Sequence, residues 1–306
     1  MDIPSDQRER PESGIPLEAR IRLGHAMVQG VADQAGVDLV HIKGYAVDQG
    51  LYRAGRTSTD VDIWVRPSQV DRLIQALAEH DWKPLTSFRS GSIFEHAAVS
   101  HHPTWSYVDI HRVVPGVGLP PEEAFEKVWA EHKTVQIAEY PCAVPSADHQ
   151  MAVIILHEAR SGATRQPDVD HIRAQLSEEQ RLHLRGIASS WKADVAWAAA
   201  TDRLELFTDH PAYPLWKAVR TNASGIALLK ARLQTEQSWL KRAELIAYAA
   251  TPNLDHLRLS LHREPTAQDV LQDLSSRWTK GLGGLRRQLV TDLTSRLTHR
   301  RGGPRS

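Results

Sequence analysis

The stretch Arg56-Thr57-Ser58-Thr59-Asp60-Val61-Asp62-Ile63-Trp64-Val65 sets two carboxylates one residue apart in an apolar setting. In a strand, alternate side chains take opposite faces, so Val61, Ile63 and Val65 share one side while Asp60, Asp62 and Trp64 share the other. The two acidic Cα atoms then lie about 6.5 to 7 Å apart, close enough for both carboxylates to lean onto divalent ions. Hard oxygen ligands favour Mg²⁺, and a cation offsets the cost of crowding two negative groups together. Tyr107-Val108-Asp109-Ile110-His111 repeats the pattern, with Asp109 facing away from Val108 and Ile110. If the two strands are neighbours, Asp60, Asp62 and Asp109 form a three-carboxylate cluster of the kind that holds metal for phosphoryl transfer. His111 then stands beside the cluster, as a proton relay or as a hydrogen-bonding strand end.

Upstream, Leu39-Val40-His41-Ile42-Lys43-Gly44-Tyr45-Ala46 runs a strand into a glycine and then a helix. Glycine lets the backbone turn closely, and N–H groups at a helix start suit a phosphate. Lys43 adds a positive charge there. Arg56 carries a guanidinium fork that can clamp a phosphate or pair with Asp60.

The elements that must position these groups follow from patterning. An arm to about residue 16 with three prolines precedes a helix over 17–35. Short β-branched runs then alternate with helical stretches: strands over 38–42, 61–65, 82–87, 93–99 and 106–111, and helices over 46–53, 68–80 and 120–129. Residues 133–138 and 142–144 form a hairpin around Tyr140-Pro141. Strands stop near residue 145, and helical segments follow. The arginine-bearing leucine repeat over 285–297 reads as an amphipathic terminal helix packed on its own domain. His96, His101 and His102 read as exposed. His157-Glu158 opens like a zinc-protease motif, but Ser161 and Gly162 stand where the second histidine belongs.

Composition narrows the classes. The 306 residues carry 37 basic and 37 acidic side chains, so no surplus positive charge draws the chain to polymeric nucleic acid. Cys142 is the single cysteine, which excludes an intramolecular disulfide and a cysteine-rich zinc site. With no export leader and no apolar run long enough to cross a bilayer, a cytoplasmic, membrane-free protein is expected.

In the order Ile42-Lys43-Gly44, Leu51-Tyr52, Arg56, Asp60-Val61-Asp62-Ile63-Trp64-Val65 and Val108-Asp109-Ile110-His111, the chain resembles the nucleotidyltransferase superfamily of the DNA polymerase β type. More narrowly, it is similar to the branch called uncharacterised nucleotidyltransferases, whose pattern runs Leu-Lys-Gly, Arg, Asp-Ile-Asp, Val-Asp-Leu-His. The match covers about residues 37 to 112 and continues weakly through Leu156-His157-Glu158-Ala159 and Asp168-Val169-Asp170.

The resemblance implies an α+β fold: a nucleotidyltransferase-like mixed sheet with flanking helices, then an all-α C-terminal domain. With the boundary near residue 145, where the strands stop, the chain is expected to divide into an N-terminal arm and helix (1–36), a catalytic domain (37–145) and a helical acceptor-binding domain (146–306). The resemblance also implies metal-dependent transfer of an NMP from an NTP to a hydroxyl of a small molecule, peptide or protein, with release of pyrophosphate. Asp60, Asp62 and Asp109 are then the catalytic metal ligands for Mg²⁺, or Mn²⁺ in its place, with Asp109 helping to deprotonate the acceptor. Lys43, Gly44, Arg56 and His111 bind the nucleotide. The chain departs from the broader superfamily in having Gly44-Tyr45 for Gly-Ser, so the serine that holds the triphosphate is missing at that spot. Two other readings stand beside this one: a scaffold that binds a nucleotide or partner without catalysis, of regulatory or toxin-antitoxin type, and a nucleotide-sugar glycosyltransferase using Asp60-Val61-Asp62.

Overall fold

The computed structural model describes residues 14–161, 167–261 and 265–275. Most of the expected arm and the basic helix over 285–297 lie outside the described residues.

Alternation of β-branched residues with polar ones produces a five-stranded mixed sheet in the order β1-β2-β5-β4-β3. Its strands are β1 (Leu39–His41), β2 (Asp60–Val65), β3 (Lys83–Pro84), β4 (Ala97–His102) and β5 (Ser106–His111). β2 and β5 run parallel at its centre, and β1, β4 and β3 join antiparallel. Val61, Ile63, Val65, Val108 and Ile110 leave the sheet on one face. There they pack against Ile21, Val28 and Val31 of α1 (Leu17–Ala35) and Val70, Leu73 and Leu77 of α2 (Val70–Glu79). Each such side chain contributes about 1.5 to 3 kcal/mol when fully buried. Val40, Ile42 and Trp64 leave the other face into a second core.

That second core is built by helices. After the short α3 (Phe88–Gly91) come α4 (Pro121–Trp129), α5 (Ala147–Glu158), α6 (Pro167–Gln175), α7 (Glu178–Ser190), α8 (Asp194–Ala200) and α9 (Tyr213–Arg220). Phe125 of α4 meets Trp64 edge-on at 6.1 Å, and Met151 through Leu156 of α5 lie beneath them. A hairpin, β6 (Lys133–Ile137) with β7 (Tyr140–Val144), is tied to α1 by Tyr140 Oη donating to Asp33 at 2.8 Å and Ala143 N donating to Gln29 at 3.2 Å. Beyond Val144 every described element is helical. The chain divides into two compact units between Asn222 and Ala223. The second unit carries α10 (Gly225–Thr235), α11 (Trp239–Ala250) and α12 (Leu254–Leu261).

Four local expectations are corrected. The helix expected over 46–53 is a single 3₁₀ turn, Gly44–Ala46, followed by turns. Tertiary partners claim that backbone: Asp48 N donates to Gln150 Oε1 at 2.8 Å, and Gly50 O accepts from His171 and Gln175. β3 shrinks to two residues because Pro84 has no N–H for the ladder and sits on the sheet's edge. β4 begins at Ala97 because Ser87 and Ser90 form a reciprocal capping box that starts α3 instead. The hairpin turns at Ala138-Glu139, both at positive φ, with Tyr140 already in the strand.

Gly116, in the connection after β5, has φ +93° and its added Cβ would fall 2.2 Å from Ala196 Cβ and 3.1 Å from the Trp216 ring. Gly116→Ala is therefore expected to cost about 3 kcal/mol or more and to lower Tm by roughly 6 to 12 °C. Thermal unfolding followed by circular dichroism checks this; an unchanged Tm contradicts the close approach.

Candidate active site

The parallel pairing of β2 with β5 sets Asp62 directly opposite Asp109, Asp60 opposite Tyr107 and Trp64 opposite His111. Since Val61, Ile63, Val108 and Ile110 are committed to the α1/α2 core, the acidic side chains share the opposite face. Ligand atoms of Asp62, Asp109 and His111 lie within 4.8 Å of one another. Asp60 is outside that group, half-exposed at the entry to β2, one pleat before Asp62.

Asp62 is the buried centre of the arrangement. Ile42 N donates to Asp62 O at 3.1 Å, which brings the end of β1 alongside β2. Lys43 Nζ reaches Asp62 Oδ1 at 2.5 Å, and His111 Nε2 donates to the same oxygen at 3.0 Å. Burial by itself would raise the Asp62 carboxyl; the Lys43 ammonium and the His111 hydrogen bond outweigh it and hold the group well below the usual carboxylate range. Burial also lowers the His111 imidazole to about 4, against the pull of Asp62, so it is neutral with the proton on Nε2. Its Nδ1 is buried and has no hydrogen-bond partner among the described residues.

The sequence reading missed three neighbours. His96, expected to be exposed, is 2% exposed, because Arg160 grips its Nε2 at 2.6 Å and its ring lies 5.2 Å from that of His111. Burial, then the Arg160 charge, keeps His96 neutral. His157, at the end of α5, is likewise pushed far down by burial and by the charges of Lys43 and Arg160. The one signal that pointed here was the weak continuation of the resemblance through His157. His101 and His102 are half-buried; the first packs on Tyr107, and the second accepts the Thr104 amide at 3.0 Å.

Two carboxylates with an imidazole beside them, all within 4.8 Å, fit a divalent cation. The oxygens suit Mg²⁺, and the imidazole broadens the choice toward Mn²⁺.

Gly44 forms the turn after Lys43 with φ +66°. An added Cβ would lie 2.6 Å from Ser58 Oγ and 3.1 Å from Ser58 Cβ. Ser58 is buried and donates to Asp60 O at 3.0 Å, so it cannot easily give way. Gly44→Ala is expected to cost about 2 to 4 kcal/mol, and Ser58→Gly in the same chain to recover part of it. Denaturant titration of the single and double variants measures this; no recovery in the double variant refutes the contact.

Arg56 pairs with Asp168 of α6 rather than with Asp60, its Nε donating to Oδ2 at 2.9 Å. Its guanidinium lies 3.8 Å from the centre of the Tyr52 ring. Tyr52 sits beside the turn: burial raises its hydroxyl, while the Arg56 charge and a backbone hydrogen bond from Gly44 oppose the rise. The structure thus draws Lys43, Asp62, Asp109 and His111 together and leaves Asp60 at their margin. Arg56 is held by a helix more than a hundred residues away.

No curated protein matches the chain. Among solved structures, the lincosamide antibiotic adenylyltransferase LnuA, crystallised with lincomycin, is 16% identical with a TM-score of 0.32, over 55% of this chain and 96% of that one. An antigenic nucleotidyltransferase-like protein from Paracoccidioides brasiliensis is 16% identical with a TM-score of 0.34, over 63% of this chain and 95% of that one. The family described as uncharacterised nucleotidyltransferase matches residues 27–198, more than half of the chain, and takes in β1, β2, β5 and the helices through most of α8. The chain belongs to this uncharacterised nucleotidyltransferase family.

Proposed function

We propose that the protein is a divalent-metal-dependent nucleotidyltransferase that moves an NMP from an NTP to a hydroxyl of a small molecule, a peptide or a protein, releasing pyrophosphate. The observation that carries this reading is the convergence of Asp62, Asp109 and His111 on one face of two adjacent parallel strands. Asp62 and Asp109 hold the metal, with Asp60 at the strand entry as the third carboxylate. A bound Mg²⁺ or Mn²⁺ supplies neutralisation of the triphosphate and stabilises charge developing in an in-line displacement. Asp109, half-exposed, accepts the proton of the attacking hydroxyl. His111 orients the Asp62 carboxylate. Lys43, the Gly44 turn and Arg56 bind the triphosphate. The first unit's helices beyond residue 146 supply the acceptor surface. Zero net charge argues against polymeric nucleic acid as acceptor, and the free, buried Cys142 suits a reducing cytoplasm.

The test is incubation with α-³²P-labelled NTPs, Mg²⁺ or Mn²⁺ and panels of hydroxyl acceptors, following labelled product and pyrophosphate. Absence of both transfer and NTP binding across the four NTPs sinks the reading.

The Lys43–Asp62 pair favours a second reading, a scaffold that binds nucleotide without transferring it, because an ammonium already neutralises the central carboxylate. NTP binding that is indifferent to EDTA, with no product formed, selects that reading.

A further inference from the structure

Asp168, in the first turn of α6, is 5% exposed and has both carboxylate oxygens engaged. Oδ1 accepts from Arg53 Nε at 3.1 Å and Oδ2 from Arg56 Nε at 2.9 Å. The two arginines differ. The Arg53 side chain is 51% exposed and has no aromatic partner among the described residues, whereas Arg56 is 28% exposed and lies on Tyr52. A guanidinium has five N–H donors; Asp168 takes the one on Nε of Arg56, and the four on the Nη atoms have no hydrogen-bond partner among the described residues. Tyr52 in turn packs on the core that holds Val40, Ile42 and Trp64, the ends of the strands beside the acidic site, and its hydroxyl meets the Gly44 amide. A continuous chain of contacts therefore runs from α6 through Arg56 and Tyr52 to the turn beside the acidic site. That turn is the place where Tyr45 stands in the position of a Gly-Ser serine.

We propose that Asp168 is a positioning residue for nucleotide binding: it grips Arg56 by Nε so that the free edge of the guanidinium, held 3.8 Å over the Tyr52 ring, presents its N–H groups to the polyphosphate beside Gly44. This rests on the nucleotidyltransferase reading above. The planar fork matches phosphate oxygens in pairs, and a fork held in advance loses less freedom on binding. Arg53, on the other carboxylate oxygen, only ties the loop to α6.

The test is calorimetric titration of the full chain with Mg²⁺ and each of ATP, GTP, CTP and UTP, then with the monophosphate of whichever binds best. Asp168→Asn keeps the shape and removes the charge; it is expected to weaken NTP binding about tenfold or more and monophosphate binding by less than about twofold. Arg56→Lys keeps the positive charge but loses the Nε grip and the fork, and is expected to reproduce that NTP-selective loss. The double variant is expected to bind no more weakly than Arg56→Lys, because both changes remove one interaction. Arg53→Gln is expected to leave NTP affinity within about twofold. Arg56→Lys needs no folded Asp168→Asn to be informative. Wild-type affinity in Arg56→Lys or Asp168→Asn, equal losses for NTP and monophosphate, or additive losses in the double variant overturn the positioning role while leaving the proposed function standing. A wild-type chain that binds none of the four NTPs overturns both.

Discussion

Asp109→Asn is expected to reduce nucleotidyl transfer on the order of 10²- to 10³-fold while leaving the melting temperature nearly unchanged. Asp109 is half-exposed, and the strand that carries it is anchored by Val108 and Ile110 on its other face. Replacing the carboxylate by an amide of the same size therefore disturbs little packing. What is lost is one of the two negative groups that sit opposite each other across β2 and β5. Asp62→Asn is expected to abolish transfer as well, with a second consequence. Its removal strands the Lys43 ammonium, whose side chain is 8% exposed, and breaking a buried ion pair from one side costs about 3 to 5 kcal/mol. Lys43→Met added to Asp62→Asn is expected to restore much of the stability and none of the transfer. Paired measurements of pyrophosphate release and urea midpoints separate these effects. Full activity in Asp109→Asn sinks the metal-site reading.

Stability is expected to fall steeply as the pH drops below about 6.5, because histidines are buried in their neutral form. His25 of α1 and His41 of β1 are both fully buried, with Nδ1 atoms 2.8 Å apart, one donating and the other accepting. Burial lowers His41 well below the ordinary imidazole value, with His25 assisting, and it lowers His25 to about 4, with the Asp62 charge opposing and Arg22 assisting. Between that value and the ordinary 6.5, the unfolded chain binds more protons than the folded one, so stability rises with pH across this window. The contribution is complete above pH 6.5 and is lost as pH falls through about 4. His25 alone accounts for about 3 kcal/mol, and His41 acts in the same direction. Urea midpoints at pH 7.5 and 4.5 measure the loss. Single substitution, His25→Leu, leaves the His41 nitrogen unsatisfied and is expected to cost about 1 to 3 kcal/mol at neutral pH; His25→Leu with His41→Leu removes both polar groups and costs less. The double variant is expected to lose less stability between the two pH values. An unaltered pH dependence in it shows that the pair is not responsible.

Local patterning was legible where one physical rule acted alone. β5 spans Ser106–His111 and α1 spans Leu17–Ala35, as alternation and helical spacing indicate. The same parity put Asp62, Asp109 and His111 on the face away from Val61 and Ile110, a placement that needed no knowledge of the fold beyond the two strands being neighbours. Residues 46–53 failed as a helix because Gln150, His171 and Gln175 claim their backbone from far along the chain. His96 looked like a surface residue because its polarity was visible while Arg160 and His111, which bury it, were not yet beside it.

Residue types and strand parity alone thus determined which face carries the acids, since the two-residue repeat is a property of the extended backbone. Only the tertiary structure decided that Lys43 and His111 share one oxygen of Asp62, that Asp60 stands at the margin, and that Asp168 grips Arg56 across 112 residues. Such contacts carry no period along the chain. They arise when helices close over the sheet to bury Val40, Ile42 and Trp64, and the polar groups carried along must then find partners in a space that water has left.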